Sequence, residues 1–184
     1  MLNYPIQVRD AEESEAGCLA TLWYEGWKDA HLHIVPEELT RARTPESFRE
    51  RISALLPTVR VVGPTGAPAG LCIVKDNELY QLYVAPEARG TGAASALIAD
   101  AETQIAQAGF ETAWLACAIG NNRAARFYEK CGWRRVGNMM NRLDLPSGEY
   151  LLEVWRYEKN VSELTHPQSS GSAPRNSGWP ASEV

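Results

Sequence analysis

The sequence is short of several things, and each shortage excludes a class of protein. It has four cysteines, Cys18, Cys72, Cys117 and Cys131, widely separated and without a Cys-x-x-Cys pair. Metal-site spacing is therefore absent, no disulfide framework is expected, and a reducing cytoplasm is the natural setting. It has no long apolar stretch: the longest run, residues 113–119, is seven residues, far below the roughly 20 needed to cross a bilayer. The opening MLNYPIQVRD carries no apolar core of a secretory signal. Positive charge is not in excess either. Eighteen Lys and Arg stand against 23 Asp and Glu, a net charge of −5, the reverse of the balance in a protein held to nucleic acid by phosphate contacts. Neither a nucleic-acid nor a membrane partner is expected.

What is present is ordinary for a globular chain. The 184 residues are 45% hydrophobic and 22% charged, enough for one domain that folds without metal or disulfides. No internal repeat is visible. In residues 162–184, eleven of 23 positions are Ser, Gly or Pro. Such a stretch buries too little apolar surface to offset its ordering entropy. The expected division is a domain over 1–160 and a disordered tail over 161–184.

Within the domain the hydrophobic period alternates between strand and helix. Residues 6–10 read as a short strand. Asp10, with Glu13 three positions on, reads as a capping box, followed by Leu19, Leu22, Trp23, Trp27 and Ala30 at helical spacing. Thr44-Pro45 opens a second helix bearing Phe48, Ile52, Leu55 and Leu56, and Pro57 stops it. Residues 59–62, 71–74 and 79–84 read as an antiparallel meander with a tight turn at Asp76-Asn77. A helix with Ala94, Leu97, Ile98, Ala101, Ile105 and Ala108 on one face ends at Gly109. Residues 112–118 are nearly all apolar, as in an interior strand. Asn121 caps a helix that Gly132 ends, and two closing strands, 135–145 and 150–159, flank a turn at Pro146-Ser147-Gly148. The expected fold is α/β, a mixed sheet with helices on its faces.

The chemistry lies in LYQLYVAPEARGTGAASALIADAE, a strand running through a Gly-rich loop into a helix. Gly90 and Gly92 allow close backbone approach. The first helical N–H groups have no internal partners and, with the helix dipole, suit an anion such as phosphate. Arg89 adds a charge-assisted contact. The loop lacks the third Gly of GxGxxG, no acidic residue ends the next strand to hold a ribose, and there is no GK[ST]. By themselves the glycines fit equally a strand-to-helix turn with no ligand.

About 30 residues downstream stands Asn121-Asn122-Arg123-Ala124-Ala125-Arg126-Phe127-Tyr128-Glu129-Lys130-Cys131-Gly132-Trp133. Here the sequence resembles the GCN5-related N-acetyltransferase (GNAT) family. The family's acetyl-CoA loop, [Q/R]xxGx[G/A], is matched by Arg89-Gly90-Thr91-Gly92-Ala93-Ala94. Its later motif, about NxxAxxFYExxGF, is matched by Asn121, Ala124, Phe127, Tyr128, Glu129 and Gly132, with Trp133 replacing the final Phe. The resemblance covers about residues 5–158 and is specific over 78–133.

The resemblance implies the acyl-CoA N-acyltransferase fold: a mixed, mostly antiparallel central sheet with a splayed parallel strand pair and helices on both faces. It implies acetyl-CoA as cosubstrate, no metal, and direct transfer of acetyl to a primary amine of a small molecule. By similarity, Arg89, Gly90, Thr91, Gly92, Ala93 and Ala94 hold the pyrophosphate, and backbone at Leu82, Tyr83 and Val84 holds the pantetheine arm and polarises the thioester carbonyl. Asn121 binds the cofactor arm as well as capping its helix. Deprotonating an alkylamine costs roughly 4–5 kcal/mol at pH 7, and the leaving thiolate needs a proton. Tyr128, which also contacts the cofactor, is the expected acid. Glu78, at the start of the fourth strand, is the expected base, acting through water, as against a solvated carboxylate beside a turn. Cys72 and Cys117 read as small core residues.

In the family the first helices wall the acceptor site, here about residues 22–39. Trp23, Tyr24 and Trp27 are pocket or core residues, and His31 and His33 are weak metal candidates. Residues 10–38 hold eight acids and one base, and residues 123–135 hold five bases and one acid. This division predicts an acidic acceptor mouth for a cationic amine and a basic side for CoA, against plain solvated helix faces. The alternatives kept open are a protein or peptide N-acetyltransferase and a non-catalytic acyl-CoA-binding module. The long closing strands could pair between subunits of a homodimer.

Overall fold

Alternation along the central strands divides the apolar residues between two faces of one sheet. In the computed structural model, which describes residues 6–165, seven strands form a single sheet in the order β1-β2-β3-β4-β5-β7-β6. They are β1 (Val8–Asp10), β2 (Val59–Val62), β3 (Gly70–Lys75), β4 (Glu78–Val84), β5 (Thr112–Ala118), β6 (Arg134–Leu145) and β7 (Gly148–Asn160). Every pairing is antiparallel except β4 with β5.

Among the described residues five α-helices cover the sheet: α1 (Ala16–His31), α2 (Glu37–Ala42), α3 (Pro45–Leu55), α4 (Ala93–Gln107) and α5 (Asn122–Lys130). On one face Leu19, Trp23 and Trp27 of α1 and Phe48 and Ile52 of α3 bury against Val59, Val61, Leu71 and Ile73. On the other, Leu97, Ile98, Ala101 and Ile105 of α4 bury against Val62, Cys72, Leu79 and Leu115. Odd and even residues of β3 therefore serve different cores, as the period of two requires. Cys72 and Cys117 are core residues, each thiol pushed up to about 12 by burial.

Most start and stop signals act as read. Thr44 Oγ1 accepts from the Ser47 N–H at 3.2 Å, with Pro45 opening α3. Asn121 Oδ1 accepts from the Ala124 N–H at 3.2 Å. One signal is displaced. Asp10 does not open the first helix; it ends β1, and its carboxylate pairs with Arg60. The capping pair is Glu12 with Glu15, where the Glu15 carboxylate accepts from the Glu12 N–H at 2.9 Å. The reason is tertiary. Glu15 is fully buried and also takes two bonds from Arg9, at 2.7 and 2.8 Å, and one from the Gly66 N–H at 3.0 Å. These donors hold its carboxyl down to about 2.

The six-residue α2 was not foreseen; Pro36 precedes it and Arg43 follows it. Described structure also continues past the expected domain boundary at 160. Val161 is buried and donates its N–H to Glu111 O at 2.8 Å, and Ser162–Thr165 form a 3-10 turn. The rest of the expected tail, 166–184, lies outside the described residues.

Candidate active site

The parallel strands part almost as soon as they meet. β4 pairs with β5 at one register position, Glu78 opposite Trp114. Asn77 pins that point: its carbonyl accepts from the Trp114 N–H at 2.9 Å, its Nδ2 donates to Thr112 O at 2.9 Å, and its Oδ1 accepts from Trp114 Nε1 at 3.2 Å. Beyond it β4 stays paired with β3 and β5 with β7. The β3–β4 register also slips, Ile73 facing Gln81 and Val74 facing Leu79, which leaves Tyr80 as the extra residue of a bulge. The split opens a cleft of about 720 Å3 that reaches both faces of the sheet.

On the α4 face the Gly-rich loop forms one wall. Gly90 and Gly92 have φ of 76° and 98°, left-handed values that penalise a side chain. The Ala96 N–H bonds to Gly92 O at 2.9 Å and the Ala93 N–H leans on Thr91 Oγ1 at 3.4 Å. The amides of Ala94 and Ser95 have no partner among the described residues, and both residues line the cleft. Arg89, Arg123 and Lys130 also line the cleft. Asp29 of α1 ties two of these cations, accepting from Arg89 at 2.7 Å and Arg123 at 2.6 Å. Arg123 and then Arg89 hold the Asp29 carboxyl below its ordinary value against the opposing effect of burial.

Of the residues singled out for the cofactor, Leu82, Tyr83, Val84, Arg89, Gly90, Gly92, Ala94, Asn121 and Tyr128 all line the cleft. Thr91 and Ala93 do not. The Thr91 hydroxyl turns back to Ala88 O at 2.7 Å, and Ala93 is buried. Asn121 spends its side-chain oxygen on the helix cap, which leaves its amide nitrogen for the cleft.

Two proton-handling groups line this space. Tyr128 packs among Phe127, Trp133 and Tyr157, with ring centroids 5.7, 6.4 and 6.0 Å away. Its hydroxyl has no hydrogen-bond partner among the described residues, and burial raises its pKa well above that of an ordinary phenol. It therefore stays protonated and able to donate. Glu78 is half-buried, and burial raises its carboxyl above the usual range despite the charges of Lys75 and Arg156. A third group is His31. Its Nδ1 lies 3.0 Å from Trp27 O, so the neutral ring carries its proton there and presents Nε2 as an acceptor. Burial lowers its pKa. His33 is exposed and does not line the cleft, so the two histidines do not act together.

The α1–α3 face of the cleft differs from expectation. None of the eight acids in residues 10–38 lines it. Asp10, Glu15, Glu25, Asp29 and Glu37 are instead paired with Arg60, Arg9, Lys28, Arg89 with Arg123, and Arg41. The expected acidic mouth is not found: among the described residues the only lining carboxylate is Glu78, and the charged side chains that α3 and the turn before it bring to the cleft are Arg51 and Arg43. Trp27 lines the cleft; Trp23 is wholly core, donating Nε1 to Gln81 at 3.2 Å, and Tyr24 packs tilted on Phe48.

Gly26 of α1 sets the width of this wall. A Cβ there would stand 2.6 Å from Tyr83 Cδ1. In an open helix Gly→Ala gains about 1 kcal/mol, but displacing a packed ring costs about 1–3 kcal/mol. Gly26→Ala is therefore expected to lower Tm in a thermal melt; a raised Tm would mean that the Tyr83 ring yields freely.

The model of the acetyltransferase (GNAT) family matches residues 20–133. An uncharacterized N-acetyltransferase of Mycobacterium tuberculosis is 41% identical over 69 residues, 38% of this chain and 44% of that protein, so the match spans less than half the length of this curated relative. The crystal structure of a GCN5-related N-acetyltransferase from Rhodopseudomonas palustris superposes with a TM-score of 0.66 at 19% identity, covering 87% of this chain and 98% of that one. An N-acetyltransferase of Thermoplasma acidophilum, solved in complex with coenzyme A, superposes at 0.57 and 19%, covering 85% and 99%. At these identities the two structures speak for the fold.

Proposed function

Because this chain belongs to the acetyltransferase (GNAT) family, we propose that it transfers acetyl directly from acetyl-CoA to a primary amine of a small molecule, inside the split between β4 and β5. One observation carries the reading: one cleft is lined by the α4 amides that lack partners among the described residues, by the cations Arg89, Arg123 and Lys130, by Tyr128 and Glu78, and by the aromatic side chains Trp27, Tyr80 and Tyr83. The groups fit the cosubstrate. Left-handed glycines leave the loop free of side chains, and Arg89, Arg123 and Lys130 suit its phosphates. The complex of the Thermoplasma acidophilum enzyme with coenzyme A supports the same choice.

Acetyl-CoA supplies an acetyl group already activated as a thioester. The chain supplies position and protons. Backbone of Leu82, Tyr83 and Val84, left without a β5 partner, is the polar edge available to the pantetheine arm and the carbonyl. Glu78, directly or through water, takes the proton of the incoming ammonium. Tyr128 gives its proton to the departing sulfur, and the buried thiols take no covalent part. Leu143 and Leu152 of the β6–β7 hairpin wall the acceptor chamber, which favours a small molecule over an extended peptide. A cytoplasmic setting belongs to the proposal, supported by cysteines free at all four positions; no described helix is long and apolar enough to cross a membrane. Pairing of two copies also belongs to it, supported by the open β6 edge with Val136 and Met140 exposed.

The test is release of free thiol from acetyl-CoA across a panel of amines; CoA binding without turnover on any amine would sink the reading. The base has its own test. With Glu78 as proton acceptor, kcat/KM rises with pH as its raised pKa is passed. Glu78→Gln should lower the rate roughly 10–100-fold near neutrality and move the rising limb to the pKa of the amine. An unchanged profile would remove Glu78 from the role.

A further inference from the structure

The α1–α3 end of the cleft carries a cation that the reaction as described leaves unused. Arg43 is 7% exposed and lines the cleft, yet its guanidinium makes no hydrogen bond, ion pair or ring contact among the described residues. A buried charge is normally paired, because burial strips it of water. No carboxylate among the described residues forms an ion pair with it. After burial, the strongest charged influence on it is another cation, Arg51, which lowers its pKa further. Arg51 donates to the Tyr80 hydroxyl at 2.8 Å and lies over the Trp23 ring at 4.8 Å. Tyr80 and Trp23 bring no formal charge, so neither guanidinium is neutralised. Glu78 feels Lys75 and Arg156 rather than these two, and Asp144, which does act on Arg43, is exposed and forms no ion pair with it. The fork therefore faces a space that a ligand must complete.

We propose that the acceptor amine carries a carboxylate, as an amino acid does, and that Arg43, backed by Arg51, binds that carboxylate. This rests on the reading of the cleft as the acetyl-transfer site. The planar guanidinium matches a carboxylate in two parallel bonds, a match that an ammonium point charge does not make. A purely cationic amine is repelled by two uncompensated guanidiniums, whereas an amine with its own anion is drawn in. Trp27, Val35 and Leu39 beside Arg43 give the remainder of the acceptor an apolar seat. Arg43 is thus a specificity-determining residue, set apart from the phosphate-side cations Arg89 and Arg123, which Asp29 already pairs.

The test uses matched acceptors and matched products with the full chain. Free α-amino acids, their methyl esters and their decarboxylated amines are compared by thiol release from acetyl-CoA. In parallel, binding of N-acetyl amino acids and of their esters to the protein–CoA complex is measured by calorimetry. The free acids should exceed esters and bare amines in kcat/KM by roughly 10–100-fold, with the same preference in binding. Arg43→Gln should abolish the preference through the acceptor KM while leaving the acetyl-CoA KM in place. Arg43→Lys, which keeps the charge and loses the fork, should restore part of it. Equal handling of acids and esters by the wild-type protein overturns the proposal and leaves acetyl transfer standing. Carboxylate-selective, Arg43-dependent binding without turnover of any amine overturns acetyl transfer and leaves the anion site standing.

Discussion

Tyr128→Phe is expected to lower kcat by about 100–1,000-fold while the KM for acetyl-CoA stays within about twofold. The change deletes one oxygen. The Phe ring keeps the contacts with Phe127, Trp133 and Tyr157, so packing around α5 and the shape of the cleft persist. No protein partner is orphaned, because the phenol bonds to none among the described residues. What disappears is the proton donor on the cleft wall. Burial holds that phenol protonated well beyond neutral pH, so it donates throughout the working range instead of titrating within it. The effect should therefore fall on kcat at every pH between 6 and 9 on the order of equally. An unaltered kcat would remove Tyr128 as the acid and leave it as a packing residue.

Lys159→Met is expected to destabilise the fold by about 3–5 kcal/mol, seen as a Tm lower by roughly 10–15 °C. Lys159 of β7 donates to both oxygens of Glu102, each at 2.8 Å, and to Cys131 O at 2.8 Å. Glu102 is 6% exposed and also accepts from Trp133 Nε1 at 2.8 Å. One ammonium thus joins the middle of α4, the end of α5 and the sheet, the three pieces that carry the loop amides and Tyr128. Removing it leaves a buried carboxylate with only the indole donor. Lys159→Met with Glu102→Gln should recover more than half of the loss, since the amide still accepts from Trp133 without a net charge to bury. A single variant within about 1 kcal/mol of wild type would mean that water reaches Glu102 and the network is of surface strength.

The parts of the fold that rest on local chemistry were legible. Thr44 and Asn121 cap where a side-chain oxygen meets a free N–H, and Gly90 and Gly92 take the left-handed angles that their loop requires. The split strand pair was legible through the family motifs at Arg89–Gly92 and Asn121–Gly132, not through hydrophobic period. What failed depended on partners far along the chain. Asp10 looked like a cap because nothing local says that Arg60, 50 residues on, takes its carboxylate or that the Gly66 N–H, 51 residues from Glu15, reaches that buried side chain. The acidic mouth dissolved for the same reason: Asp29 is 60 residues from Arg89 and 94 from Arg123, and pairing across those separations neutralises what the linear count left charged. Arg43 was invisible in the opposite sense. Nothing in Arg41-Ala42-Arg43-Thr44 separates Arg43 from a solvated Arg, and only the fold leaves it buried without a counter-ion among the described residues. Short α2, at six residues, carries too few apolar positions to show a period.

Direct transfer requires donor and acceptor to occupy one cleft together. The measurement is initial velocity with acetyl-CoA and an accepted amine varied against each other, read as double-reciprocal plots. Direct transfer in a ternary complex predicts lines that intersect, with no acetyl group retained on the protein when acetyl-CoA is supplied alone. Parallel lines, together with a protein heavier by one acetyl group, would contradict it and place a covalent intermediate on this chain.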